Sequence, residues 1–194
     1  MLLRPVDYLD KQPAAHTMKA LRRITLFLVV LAAGLALVGF FLPAQYHVER
    51  SITVNAPPDK VFAIASSFKT WESWTAWNLQ MDPTLQRTIS ETDSAVGSTM
   101  SWEGKKAGQG EMKLTKVTSP QEFTYDLEFN HGQYKSVGTM TFQPSGEGTT
   151  VIWSDEGGLG GNPFLHWMAL AMDKMIGPDF EKGLAGLKAL AEKK

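Results

Sequence analysis

Two hydrophobic patterns divide the chain. From Ile24 to Leu42 (ITLFLVVLAAGLALVGFFL) there is no charge and no polar stripe. A helix of that length spans about 28 Å, the hydrocarbon thickness of a bilayer. A core helix of a soluble protein would keep a polar face here. Beyond this run the apolar positions alternate. In Tyr46–Asn55, Tyr46, Val48, Ile52 and Val54 point one way and His47, Glu49, Ser51 and Thr53 the other, which predicts a half-buried strand. Arg50 falls on the apolar side, and the pattern gives no reason for it.

Pro57-Pro58-Asp59 is a helix start, with proline suited to the first turn and an acid to the N-terminus. Val61, Phe62, Ala65 and Phe68 then recur at helical spacing. A second short helix is predicted to carry Trp71, Trp74 and Trp77 and to stop at Met81-Asp82-Pro83. Strands follow over Leu85–Glu91, Gly97–Gly104, Gly110–Val117, Phe123–Phe129, Tyr134–Gln143 and Thr149–Glu156. Short turn-forming stretches separate them, so the pattern predicts an antiparallel meander. After the glycine cluster Gly157–Gly161 the period becomes helical again, with Asn162 as N-cap and Pro163 as first helical residue. Phe164, Met168, Ala171 and Met175 form one stripe, Gly177-Pro178 is expected to kink or split the helix, and Phe180, Leu184, Leu187 and Ala191 continue it. Six or seven antiparallel strands with helices on one side make an α+β layer fold, whose curved sheet would wrap round the last helix.

This order gives three segments: residues 1–23 as a polar tail, 24–42 as a transmembrane helix and 43–194 as one domain joined by the short linker Pro43-Ala44-Gln45. Arg4, Lys11, Lys19, Arg22 and Arg23 precede the apolar run, and only Arg50 and Lys60 follow closely. The positive-inside rule therefore places the tail in the cytoplasm. The domain is then expected outside it, on a single-pass protein of a bacterial inner membrane. The run ends in Phe40-Phe41-Leu42-Pro43, too bulky for signal peptidase, which predicts an uncleaved anchor. Met18 offers an alternative start, and the residues before it are expected to be disordered.

Composition removes several classes of chemistry. Cysteine is absent, so there is no disulfide framework, thiolate metal site or cysteine nucleophile. The net charge is −1, which gives no basic field for nucleic acid. His16, His47, His131 and His166 show no metal spacing, and the glycine cluster lacks the Gly-Lys-Ser/Thr of a phosphate loop. That cluster reads instead as a flexible strand-to-helix connection. His166 is expected at the surface or at a pocket mouth. Asp155 would have a raised pKa if it faced inward, but its place near a strand end favours solvent. An Arg50–Asp155 ion pair is one possible pairing. No catalytic residue, cofactor or metal is assigned.

The stretch VERSITVNAPPDKVFAIASSFKTWESW resembles the opening of the START-like, helix-grip (SRPBCC) superfamily. Gly148–Trp153 is similar to its "GT-x-V-x-W" signature, and Phe180–Lys188 to its "F-E-x-G-L-x-x-L-K" ending. The polyketide cyclase/dehydrase-like branch is the nearest group. The resemblance implies a cavity between sheet and last helix, used by relatives for lipids, sterols, polyketides and other apolar molecules. In such a fold Trp102, Met112, Tyr125, Phe129, Met140, Phe142, Trp153, Phe164 and Met168 are expected to face the cavity. Methionine suits a pocket that accepts more than one apolar shape. The expected function is a membrane-anchored domain binding a hydrophobic or lipid-like small molecule. A cyclase or dehydrase-type enzyme using Asp155 or Tyr125, and a non-catalytic envelope interaction module with a filled core, are the alternatives.

Overall fold

The chain is described by a computed structural model covering residues 15–193. Helix α1 (Ala15–Gly39) is long and apolar enough to cross a membrane, with a mean hydropathy of 2.1 over Met18–Gly39, and its large side chains are exposed. It begins inside the segment expected as tail and stops three residues short of Leu42, so Phe40–Leu42 lie in the turn beyond it. The disorder expected before Met18 falls mostly outside the described residues, and Ala15–Thr17 are helical.

Strand β1 (Gln45–Val54) is followed by α2 (Pro58–Ser66), a 3₁₀ turn (Phe68–Thr70) and the single-turn α3 (Trp71–Trp74). Trp77 lies past the end of α3, so the second helix is shorter than its tryptophan spacing suggests. The strands β2 (Gln86–Ile89), β3 (Thr99–Gly104), β4 (Gly108–Thr118), β5 (Glu122–Phe129), β6 (Tyr134–Ser145) and β7 (Gly148–Gly158) come next, then α4 (Pro163–Ala191). All seven strands form one antiparallel sheet in the order β1-β7-β6-β5-β4-β3-β2. The expected meander is present, and β1 closes it by pairing with β7. A register shift between Leu114 and Lys116 in β4 marks a bulge, which bends a strand and adds twist. The result is the expected α+β helix-grip arrangement, a curved sheet holding a long terminal helix.

Local chemistry fixes α4. The Asn162 side chain accepts from the Phe164 N–H, capping the helix start. Pro178 sits inside the helix without splitting it. The C-terminal half buries Phe180, Leu184, Leu187 and Ala191 against the sheet. Gly183 and Gly186 permit that closeness, because a Cβ at either would run into Trp153 or the Trp74 backbone. The Trp153 and Phe180 rings stack with centroids 4.1 Å apart and planes 5° from parallel. Trp71, Trp74 and Trp77 each meet Trp153 edge-on.

Arg50 faces inward with its neighbours in β1 and reaches α4 rather than Asp155. Its Nε donates to Glu181 at 2.7 Å, and its two terminal nitrogens donate to the Asp173 carboxylate at 2.7 and 3.1 Å. The inward position has a partner after all, supplied by a helix more than a hundred residues away. Asp82 ties two loops, accepting from Thr84 (N and Oγ1) and from the Lys106 and Ala107 N–H groups. The Thr84 hydroxyl and those backbone donors hold its carboxyl well below the usual range.

Truncating the stacked ring tests this packing. Phe180→Ala should cost about 3–5 kcal/mol in chemical denaturation, because the rigid Trp153 cluster cannot collapse into the space. A loss below about 1 kcal/mol would contradict the packing.

Candidate functional site

Between the sheet and the N-terminal half of α4 lies a hollow of about 470 Å³. Its floor comes from β3, β4 and β5, where strand parity sends Trp102, Met112, Tyr125, Leu127 and Phe129 to the inner face. Its roof is the stripe Met168, Met172, Met175 and Ile176 of α4, at the i, i+4, i+7 spacing that keeps side chains on one face. Trp77 and Phe180 close the end nearest the packed core. A second concavity of about 370 Å³, near Gln86, Glu103, Glu111, Glu128 and His131, is open and mostly polar.

Trp102, Met112, Tyr125, Phe129 and Met168, expected at the cavity, border this hollow. Met140, Phe142 and Trp153 point to the same side of the sheet but do not reach it. The α2–α3 layer covers them: Phe62 stands edge-on to Phe142 at 5.3 Å, and Trp153 is enclosed by tryptophans and Phe180. Phe164 is 48 % exposed, because the first turn of α4 stands beside the end of α1 rather than over the sheet. His166, expected at the surface or mouth, is buried between the carbonyls of Gly39 and Gly160. His131 is exposed in a left-handed turn, as its Asn-His-Gly context suggests.

The hollow is not lined by carbon alone. Asp155, favoured for solvent by its place in the sequence, is 5 % exposed and borders the cavity. The reason is register: β7 runs on to Gly158 and stays covered on both edges by β1 and β6, so its end does not fray. Tyr46 donates to one Asp155 oxygen at 2.8 Å and Ser136 to the other at 2.9 Å. Burial raises the Asp155 pKa, and the two hydroxyl donors offset part of the rise. Tyr46 is pushed up in turn, by burial and by the adjacent carboxylate.

Tyr125 is buried with its hydroxyl accepting from the Trp153 indole N–H at 2.9 Å. Gly138 on β6, directly opposite, leaves the room its ring occupies. Among the described hydrogen bonds the Tyr125 hydroxyl gives its own proton to no protein atom, which leaves it free for a guest. At the far wall Arg87 is held by the Glu72 carboxylate and the Trp77 carbonyl. Burial lowers its pKa, and the Glu72 charge works the other way. Alternation places Tyr46 on the inner face, but nothing in the sequence singles out Tyr46, Arg87 or Ser136 as polar partners; each is defined by the groups the fold brings beside it. Among the described residues no cluster of three His, Asp or Glu side chains could hold a metal ion.

A family model described as "Polyketide cyclase / dehydrase and lipid transport" matches residues 45–192. The chain belongs to this family. The match begins at Gln45, the first residue of β1, so α1 lies outside the family's shared domain. Among solved structures, a protein from Thermobifida fusca is 16 % identical with a TM-score of 0.58, covering 75 % of this chain and 92 % of its own. A protein from Chromobacterium violaceum is 16 % identical with a TM-score of 0.55, covering 79 % and 100 %. The di-domain ARO/CYC BexL of the BE-7585A biosynthetic pathway is 12 % identical with a TM-score of 0.56, and the chain spans 51 % of it. At such identities the likeness is one of fold. No curated protein matches this sequence.

Asp155 gives a pH test. Its folded pKa lies above the unfolded value, so the stability it contributes is full at low pH and is lost as pH rises through the raised pKa. Asp155→Asn removes this titration. The difference in unfolding free energy from chemical denaturation, variant minus wild type, should become more positive from pH 4 to pH 8, by about 1.4 kcal/mol per unit of pKa shift. A difference independent of pH would mean that Asp155 is not held in a destabilising environment.

Proposed function

We propose that this chain is a membrane-anchored domain that binds a hydrophobic or lipid-like small molecule between its sheet and α4. The observation that carries the reading is the hollow itself: about 470 Å³, walled by methionine, leucine and aromatic side chains, with a few polar groups gathered at identifiable places. That combination of apolar walls and sparse polar anchors is typical of small-molecule sites. Family membership supports the same reading. The ligand's apolar body would lie along the methionine stripe, and a polar group would meet Tyr125 or the Asp155–Tyr46–Ser136 cluster.

The anchor is part of the proposal. The length of α1, its cationic N-terminal flank and the bulky residues after it favour an uncleaved span over a removed leader. On this reading the N-terminus is cytoplasmic and the domain stands on the outer side of the inner membrane. The linker from Phe40 to Ala44 is short, and Ala44 is already bound by the Leu159 N–H at 2.8 Å. The domain therefore stays within ångströms of lipid.

One observation favours a second reading, a cyclase or dehydrase-type enzyme. Asp155 combines burial, a raised pKa and access to the hollow, the setting in which a carboxyl works as a general acid. Recovery of a bound molecule with both its mass and its fragmentation pattern unchanged after incubation would set that reading aside, since ring closure alone conserves mass.

Binding is tested by native mass spectrometry and by uptake of a fluorescent fatty acid. The wild type should carry an apolar guest or take up the probe. Met172→Trp, which puts a ring into free space, should weaken uptake by about tenfold or more, or 1.4 kcal/mol, with little change in Tm. No guest and no uptake by the wild type would defeat the proposal.

A further inference from the structure

Beyond α1, Leu79, Val96, Val137 and Met175 are exposed singly, but five other large exposed apolar side chains gather where α1 meets α4. Phe40 and Phe41, just after α1, are 67 % and 84 % exposed, and Trp167 and Leu170, on the start of α4, are 37 % and 57 % exposed. Phe164 joins them one turn earlier. Exposed apolar groups gathered in one place on a soluble domain mark a surface that meets something.

Two contacts fix where this surface stands. The His166 ring bridges the Gly39 carbonyl at 2.8 Å and the Gly160 carbonyl at 2.9 Å. The Trp167 indole N–H donates to the Leu35 carbonyl at 3.1 Å. A Cβ at Gly39 would overlap the Pro163 carbonyl, so the two helices touch backbone to backbone. The start of α4 is therefore stapled to the last turn of α1. Leu35 lies about 6 Å before the helix end, at 1.5 Å per residue, so the Trp167 ring reaches back alongside the span itself.

These contacts name the occupant. The inference rests on reading α1 as a membrane span. A span places its last turn at the boundary between acyl chains and headgroups, and whatever is stapled to that turn shares its depth. Tryptophan is enriched at such a boundary, and phenylalanine and leucine suit the apolar face of a helix lying in it. Lys174 follows Trp167 and Leu170 on the same side of α4, at i, i+3, i+7, where an ammonium would meet headgroup phosphates. We propose that Pro163 to Lys174 of α4, with Phe40 and Phe41, form a second membrane contact lying in the phospholipid interface. The adjoining side of the same turns carries Met168, Met172 and the partly exposed Met175, which roof the hollow. On this reading one helix segment meets lipid with one face and borders the binding cavity with the next.

The absence of cysteine makes the test clean. Single spin labels would be placed by Phe41→Cys, Phe164→Cys and Leu170→Cys. Val30→Cys serves as the control within α1 and Val96→Cys as the control on the domain surface; all five positions are exposed. The full chain would be reconstituted into phosphatidylcholine–phosphatidylglycerol vesicles, and collisions with oxygen and with a water-soluble nickel chelate compared. Labels at 41, 164 and 170 should show a severalfold higher oxygen-to-nickel ratio than the label at 96. If 164 and 170 match 96 while 30 is lipid-protected, the second contact is wrong and the span stands. If 30 is open to nickel, the span reading itself has failed. Labels at 164 and 170 shielded from both reagents would point to a protein partner, which also overturns the lipid contact.

Discussion

Helix α4 packs closely along its C-terminal half and borders open space along its N-terminal half, and the site depends on that difference. Helix α4 has 29 residues and is about 43 Å long. Its C-terminal half is drawn in: small residues at 183 and 186 let it approach and Phe180 stacks on Trp153, while Arg50 of β1 ties the middle of the helix through Asp173 and Glu181. Exposed ion pairs add little by themselves, so most of the hold comes from the packing of the C-terminal half. The N-terminal half carries methionines in place of small residues, and there the helix stands off. The hollow is the space left over, and the tight half keeps it open.

That space is electrically uneven. Most of its wall is apolar, yet one carboxyl borders it with two hydroxyls donating to it. Burying an ionised carboxylate is costly, and two neutral hydrogen bonds offset only part of that cost. The protein keeps the group nonetheless. A guest with an apolar body and one hydrogen-bonding end would match both features, and the description of the chain's family names both cyclase / dehydrase and lipid transport. A raised-pKa carboxyl serves either role, so the distinction between them lies in what happens to the guest.

The layout was legible in the sequence because it is written in local periods. Alternation in Tyr46–Asn55 and in Phe123–Phe129 identified strands and their inner faces, and the helical stripe after Asn162 identified α4. Parity, however, gives a side chain its face and not its depth. Met140, Phe142 and Trp153 have the expected face but lie under the α2–α3 layer, while Met112 and Tyr125 border open space. Single residues whose meaning depends on a distant partner were the least legible. Arg50 looked misplaced until α4 supplied its carboxylates, Asp155 looked like a fraying strand end, and His166 like a surface residue. Each is decided by contacts more than a hundred positions away or by a strand continuing past its apolar pattern.

The central claim is that the space between α4 and the sheet is open and apolar. Diffraction from xenon-pressurised crystals reads it directly, since xenon enters apolar cavities and leaves packed cores alone. The account predicts xenon density between Met172, Leu127 and Trp77, and none among Trp71, Trp153 and Phe142. Side chains of Met172 and Trp77 collapsed onto Met112 and Leu127, with no xenon between them, would contradict it.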